Sequence, residues 1–337
     1  MPDNIITRSG ASALIPEEAS AQIIQHATEN STFLRNARQL RRMTRKETRM
    51  PIMSLLPQAY FVNGEAGGEG SDALKKTTKA MWNNKFLNAE EIAVVIPIPE
   101  AVLEDADFDI WGEVSPHVGE AFGQKLDRAV IWGEDAPATW PTNIFEAIVA
   151  AGNAVETGAN MDLYSDILGT DGLVAKMEEA GYMPSGYLAK MGMRSQLRDL
   201  RDSDDRLLFK QDLVQSATQY ALDGTSIEFP RNGSILPDDH ANLLALDWDQ
   251  FVYGIRSDMR VKISDESVIS DSDGKVVLNL YQEDAVAARF TWRLGWQVAN
   301  PTNRLKPDTE DQAKAGTYVG NPERYPAGAL AKQGYAT

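Results

Sequence analysis

Residues 85–112 read KFLNAEEIAVVIPIPEAVLEDADFDIWG, an apolar extended run that passes into an acidic stretch and then into a helix. The extended run, Ala80 to Ile98, ends in Val94, Val95 and Ile96, side chains that suit a pleated, half-buried surface. Downstream, Ile110, Val114, Val118, Phe122, Leu126 and Val130 fall on one helical stripe, with Glu113, His117, Glu120, Gln124 and Arg128 off it. A helix over about 108–133 at ~1.5 Å per residue is on the order of 35 Å long, the scale of a whole domain. Pro116 interrupts its first turns, which predicts either a kink there or a true start at Ser115 with Ser115 as the cap.

Upstream, Met50 to Val62 is apolar and broken by Pro51 and Pro57, and Asn63 to Asp72 is glycine-rich (NGEAGGEGSD). Prolines confine a strand to an edge and glycines make a tip that bends freely. With the return run from Ala80 they predict a long hairpin excursion over 50–88. A hairpin of this length is costly to order alone, so it is expected to lie on something, such as a neighbouring subunit. Before it, Pro16, Glu17 and Glu18 suit a first helical turn, and Ala19, Ile23 and Ala27 continue a short amphipathic helix to Asn30.

Past the long helix, residues 143–246 mix helix and strand. Leu163, Ile167, Val174 and Met177 belong to helices parted at Gly169 to Gly172; Gly186 to Met191 reads as a strand, Ser195 to Leu200 as a helix, and DSDD as an acidic turn. After Trp248 the pattern is strands: Phe251 to Ile255, Met259 to Ile263, Lys275 to Tyr281, and Ala285 to Val298, the last alternating and aromatic-rich. Residues after Pro301 carry Pro, Gly and Ala and read as a tail.

The 337 residues include 43% hydrophobic and 8% aromatic side chains, enough for a folded core, and their number suggests two lobes or one domain with large excursions. No cysteine is present, which excludes disulfides, thiolate metal sites and Cys nucleophiles. His26, His117 and His240 lie far apart without ligand spacing, so no metal site is expected. No apolar run reaches the length of a membrane span, and the start MPDNIITRSG lacks signal-peptide character, so synthesis in the cytoplasm is expected. A net charge of -16 argues against a nucleic-acid groove, which needs surplus Lys and Arg on one face. Against that background the stretch Arg35 to Arg49, with Arg38, Arg41, Arg42, Arg45 and Lys46, reads as a contact with an acidic neighbouring subunit.

These segments, in this order, resemble the major capsid proteins of tailed phages, the family with the Hong Kong 97 fold. ALIPEEASAQIIQ (13–25) looks like the family's N-terminal arm and first helix, and residues 85–112 look like the return of its extended loop and the entry to its spine helix. KLDRAVIWGE (125–134) looks like the end of that helix. GYLAKMGMRSQLRDLRDSDDRLLF (186–209) is similar to the axial domain, and DWDQFVYGIRSDMRVKIS (247–264) and QEDAVAARFTWRLGWQVANP (282–301) to the closing strands of the peripheral domain. The departures are Pro97, Pro99 and Pro116. The resemblance implies an α+β Hong Kong 97-like capsid fold: an N-terminal arm and lead-in (1–49), an extended β-hairpin loop (50–88), a peripheral domain with spine helix and long β-sheet (89–142 and 247–305), an axial domain (143–246) and a C-terminal tail (306–337).

It further implies a virion protein made in the host bacterial cytoplasm. Such a protein assembles with itself into hexamers and pentamers of an icosahedral shell around double-stranded DNA, with scaffolding, portal and in some cases decoration proteins as partners. The encapsulin-like compartment is the alternative within the same fold, but encapsulins are usually shorter and differ in their N-terminal helix. No enzyme is expected, and no catalytic, cofactor-binding or metal residue is assigned. Gly67, Gly68 and Gly70 lack the GK[ST] of a phosphate loop. The DSDG at 271–274 would put Ile269 and Leu280 where a calcium loop needs carboxylates, so it reads as a turn between strands. Glu90 with Glu91 and Glu104 with Asp105 have no nucleophile or His nearby. Some family members join a loop lysine to a neighbour's asparagine. Here the candidates are Lys75, Lys76 and Lys79 with Asn300 and Asn303, and Asp308, Glu310 and Asp311 as possible bases, but the lysines read as a solvated face and covalent linkage is not expected.

Overall fold

The computed structural model describes residues 27, 30–59, 77–105, 110–160, 162–200, 221–270, 273–314 and 320–336. The helix expected over Pro16–Asn30, apart from Ala27 and Asn30, lies outside the described residues, as do the glycine-rich tip and the DSDD turn. In chain order the elements are α1 (Thr32–Asn36), β1 (Arg38–Gln39), β2 (Glu47–Leu55), β3 (Met81–Asn88), β4 (Glu90–Pro99), α2 (Glu100–Asp105) and α3 (Ile110–Trp132). There follow α4 (Ile144–Ala150), β5 (Ala154–Glu156), α5 (Leu163–Leu168), α6 (Leu173–Glu179), β6 (Gly186–Ala189), α7 (Met193–Asp199), β7 (Ala221–Leu222), β8 (Thr225–Glu228) and β9 (Ala241–Leu246). The chain closes with β10 (Phe251–Ser264), β11 (Val268–Ser270), β12 (Val276–Asn279), β13 (Ala285–Val298), α8 (Glu310–Lys314) and β14 (Ala327–Ala331).

The long helix starts at Ile110, so it begins before Ser115 and carries Pro116 inside it. Its buried residues Val118, Phe122, Leu126 and Val130 pack on the inner face of a four-stranded sheet ordered β1-β10-β13-β4. On β13 the inward residues Ala288, Phe290, Trp292, Leu294, Trp296 and Val298 are buried while Arg289 and Arg293 are exposed, the alternation of a sheet covered on one face. Phe122 meets Trp292 edge-on with ring centroids 6.4 Å apart. Pro97 and Pro99 sit on β4, an edge strand of this sheet, where a missing N–H removes no ladder bond.

The run read as one strand from Ala80 to Ile98 is two. Met81–Asn88 pairs with β2 in a hairpin, and Glu90–Pro99 pairs with β13 in the sheet. The strands read as Phe251–Ile255 and Met259–Ile263 are one, β10, with register shifts between Ile255 and Arg260.

A second sheet of six strands, β5-β14-β9-β6-β8-β7, gathers the rest. Leu188, Leu244, Leu246, Ala327, Ala329 and Ala331 face the core shared with the long helix, while Tyr187, Ala189, Leu243, Ala245 and Leu330 face α6 and α7. Residues 306–337, expected as a tail, therefore need correction: β14 lies between β5 and β9, and all five of its residues are buried. AGALA looks like linker text because its residues are small, and closeness is the reason. A Cβ on Gly328 would fall 2.5 Å from Leu173 Cδ1.

Candidate assembly surfaces

After α1 the chain runs beside β10, with Leu40 N–H donating to Tyr253 O (2.8 Å) and Met43 N–H to Ile255 O (2.9 Å). It then crosses the outer face of the four-stranded sheet to β2 and returns at Ala89, whose N–H donates to Lys46 O at 2.8 Å. The crossing lies over a notch made by Gly254 and Gly295, which stand opposite each other on β10 and β13. A Cβ on Gly295 would come within 2.2 Å of Asn88 O, so the hairpin root requires that position to be bare, while one on Gly254 would meet only the Leu87 and Met43 side chains.

Beyond the root, one face of the β2–β3 hairpin is fixed to the chain's own C-terminal segment. Lys85 Nζ donates to Val298 O (2.9 Å), Asn83 Nδ2 to Ala313 O, and the Thr302 N–H to Met53 O (3.3 Å). The other face is open: Trp82, opposite Met53, is 63% exposed, and Phe86, opposite Arg49, carries that guanidinium 5.8 Å from its ring centroid.

Below the closed face lies a buried polar knot. Asp308 and Arg324 form an ion pair of 2.7 Å with both side chains fully buried. Asn300 accepts from Arg324 Nε (3.1 Å) and from the Tyr182 hydroxyl (2.6 Å), and donates to Arg324 O (2.6 Å). Burial pushes the Tyr182 hydroxyl up to about 12. Burial also pulls the Lys85 amine down to about 8, helped by Arg324 and opposed by Asp308.

Of the lysines singled out in the sequence, Lys79 is exposed and pairs with Glu310 at 3.2 Å, and Lys75 and Lys76 lie outside the described residues. Asn300 and Asp308 belong to the knot, Asn303 donates to Ala180 O (2.8 Å), and Glu310 and Asp311 open α8. Among the described residues, neither asparagine bonds to Lys79. Lys85, which sequence reasoning passed over, is desolvated instead. Its signal was the strand alternation, which sets it with Asn83 and Leu87 on one face.

The start of α1 is bound by a buried carboxylate. Asp127, fully buried on α3, accepts from Ser31 Oγ (2.6 Å), Thr32 N–H (2.8 Å), Phe33 N–H (3.1 Å), Ser234 Oγ (2.6 Å) and Asn232 Nδ2 (3.3 Å). Burial pushes this carboxyl above the ordinary aspartate range, against the donors around it. Ser31 in turn accepts the Leu34 N–H at 3.0 Å, capping α1.

The remaining candidates are structural. Glu90 pairs with Lys46 (3.0 Å) and accepts from Thr139 Oγ1 (2.8 Å), which hold its carboxyl below the usual range, and Glu91 pairs with Arg293. The side chains of Glu104 and Asp105 lie outside the described residues. His117 stands 3.9 Å from Glu120, His240 stacks on Tyr335 at 4.3 Å, and His26 lies outside the described residues. No group of three metal-ligating side chains occurs among the described residues, and no described helix is long and apolar enough to cross a membrane. A polar recess of about 290 Å³ beside the arm holds Arg35 and Glu228, which pair with each other at 2.6 Å. The basic stretch is partly neutralised within the chain: Arg42 pairs with Asp258 (2.6 Å) and Lys46 with Glu90, while Arg38, Arg41 and Arg45 are exposed without an ion pair among the described residues.

Comparison with known proteins agrees with this architecture. A major capsid protein of Staphylococcus phage 80alpha is 24% identical over 302 residues, covering 89% of this chain and 86% of that protein. A solved structure from Microbacterium phage Oxtober96 has 30% identity and a TM-score of 0.73, covering 98% of this chain and 100% of that one. Another from Mycobacterium phage Cain has 31% identity and a TM-score of 0.71, covering 98% and 99%. The model of the phage capsid family matches residues 11–307, which include the long helix, the four-stranded sheet and every strand of the six-stranded sheet except β14. With that span and this order of elements, the chain belongs to the phage capsid family.

Proposed function

We propose that this capsid protein is the repeating subunit of an icosahedral shell, arranged as hexamers and pentamers around packaged double-stranded DNA and put together in the host cytoplasm. The observation that carries this reading is the two-sided hairpin. One face is bonded to the chain's own residues 298–313, and the other leaves Trp82 in water. Trp82 with Phe86 two positions along the same face offers the aromatic surface that interfaces favour. An encapsulin-type compartment is not favoured, since the relatives are phage capsid proteins. With a net charge of -16 the DNA is enclosed without a sequence-reading groove. Scaffolding and portal proteins, and in some shells a decoration protein, are the expected partners. The subunit performs no catalysis, and its shell is held by non-covalent contacts.

Deleting Asn63–Asp72 tests the bridging role of the hairpin. Subunits should keep their circular dichroism spectrum and melting point, while closed particles vanish from sucrose gradients and electron micrographs. Normal particles from the deletion would contradict the reading.

A further inference from the structure

We propose that the outer face of the four-stranded sheet, beyond the hairpin root, is a docking surface for the acidic segment Glu100–Asp109 of a second copy of this chain. The inference rests on the self-assembly proposed above. Directly opposed residues of neighbouring antiparallel strands share a face, and on this one Lys262 stands opposite Arg289, Arg260 opposite Thr291 and Glu91 opposite Arg293. Arg260, Lys262, Arg289 and Arg293 are all exposed. Glu91 is taken up by Arg293, and none of Arg260, Lys262 and Arg289 has an ion pair among the described residues. Like charges set directly across a ladder repel and cost stability. A chain with 49 acidic against 33 basic residues has no shortage of carboxylates to place there, yet among the described residues only Arg293 of the four cations is ion-paired. The face is built for an acidic partner.

Residues 100–109, EAVLEDADFD, hold five carboxylates and no Lys or Arg. Within one chain this stretch follows β4 directly after Pro99 and precedes α3, which packs on the opposite face of the sheet against Phe290 and Trp292. The hairpin tip, with Glu65, Glu69 and Asp72, carries less charge and is followed at once by Lys75 and Lys76. A segment of a second copy therefore fits best, and complementary charge also selects register and orientation between subunits.

Charge swapping tests this. Lys262→Glu with Arg289→Glu should lower the yield of closed particles about tenfold at low salt, as should Glu104→Lys with Asp105→Lys and Asp107→Lys, the scale of a lost close charge pair. Combining the two sets should restore particles. The neutral pair Lys262→Gln and Arg289→Gln guards against misfolding: its subunits should melt no lower than the unaltered ones and still assemble poorly. Unaltered chain in the same preparation establishes self-assembly independently, so normal particles from either charge reversal overturn this inference alone. Absence of rescue overturns it too. So does rescue only when Glu65, Glu69 and Asp72 are reversed, which would make the hairpin tip the occupant, or normal shells that merely lose their DNA, which would make the patch a nucleic-acid contact.

Discussion

The two sheets of this chain are finished in different ways. In the six-stranded sheet, β6, β9 and β14 are buried along their whole length, and alternate residues feed two separate cores. In the four-stranded sheet, β4 and β13 alternate between core and water, and the outer face carries a hairpin root, four cations, Glu91 and the exposed Val95. The central strands of the first sheet are covered on both faces within the chain. The second is covered mainly on its inner face, and its outer face is where we propose that another copy docks. Substitutions in the first should be felt as stability, and those in the second as assembly.

The largest effect should come from cutting the chain after Pro326, which removes β14 from between β5 and β9. Five buried residues and two strand pairings are lost at once. That exceeds what a domain with roughly 5–15 kcal/mol of total stability tolerates. Insoluble protein or a lost cooperative melt is expected. A soluble, cooperatively melting truncation would break the distinction between the sheets, because the central strand would have proved dispensable.

A smaller effect, on the open sheet, is expected at the glycine notch. Gly295→Ala sets its Cβ against the backbone oxygen of Asn88, whereas Gly254→Ala meets side chains that can rotate aside. Gly295→Ala should cost about 2–3 kcal/mol in denaturant unfolding and raise hydrogen exchange at the Ala89 amide, and Gly254→Ala about 1 kcal/mol or less. Equal costs at the two positions would show that the root is not seated as closely as the 2.2 Å approach implies.

The open sheet was also the more legible one in the sequence. The alternation RFTWRLGWQV on β13 and the six-residue stripe on α3 announce themselves because each buries one face against water. The pairing of the strands on either side of 271–274 was readable for a similar local reason, and Gly274 has a positive φ of 78°. What stayed hidden depends on distant residues. β14 has no periodicity because both its faces are buried, and its small side chains answer to α6, about 150 positions earlier. The basic stretch could be seen, but not which of its members Glu90, Glu228 and Asp258 would neutralise. Asp127 looks like one more charge on a helix until Ser31, Thr32 and Phe33 arrive from the arm. Lys85 reads as a surface lysine until the segment from Val298 to Arg324 folds over it.

That lysine supplies the smallest and sharpest test, because it lies where the hairpin leaves the chain's own core. Its amine is pulled to about 8 in the folded protein against 10.5 for the ordinary group, so folding disfavours the charged form. Below pH 8 the lysine is protonated in both states and the folded state carries the whole burial penalty. Between pH 8 and 10.5 the unfolded chain binds the extra proton, so stability rises with pH, and above 10.5 the penalty is gone. Lys85→Met removes a penalty of about 3 kcal/mol at pH 7 and loses the bond to Val298 O, for a net gain of roughly 1–2 kcal/mol. The gain should shrink as pH climbs past 8 and change sign near pH 10, where the lost hydrogen bond outweighs what is left of the penalty. Denaturant unfolding of both proteins at pH 7 and pH 10 reads it directly. A difference that stays constant across that window would mean the amine keeps its proton in the fold, and the hairpin root would then belong with the solvated outer face rather than with the core.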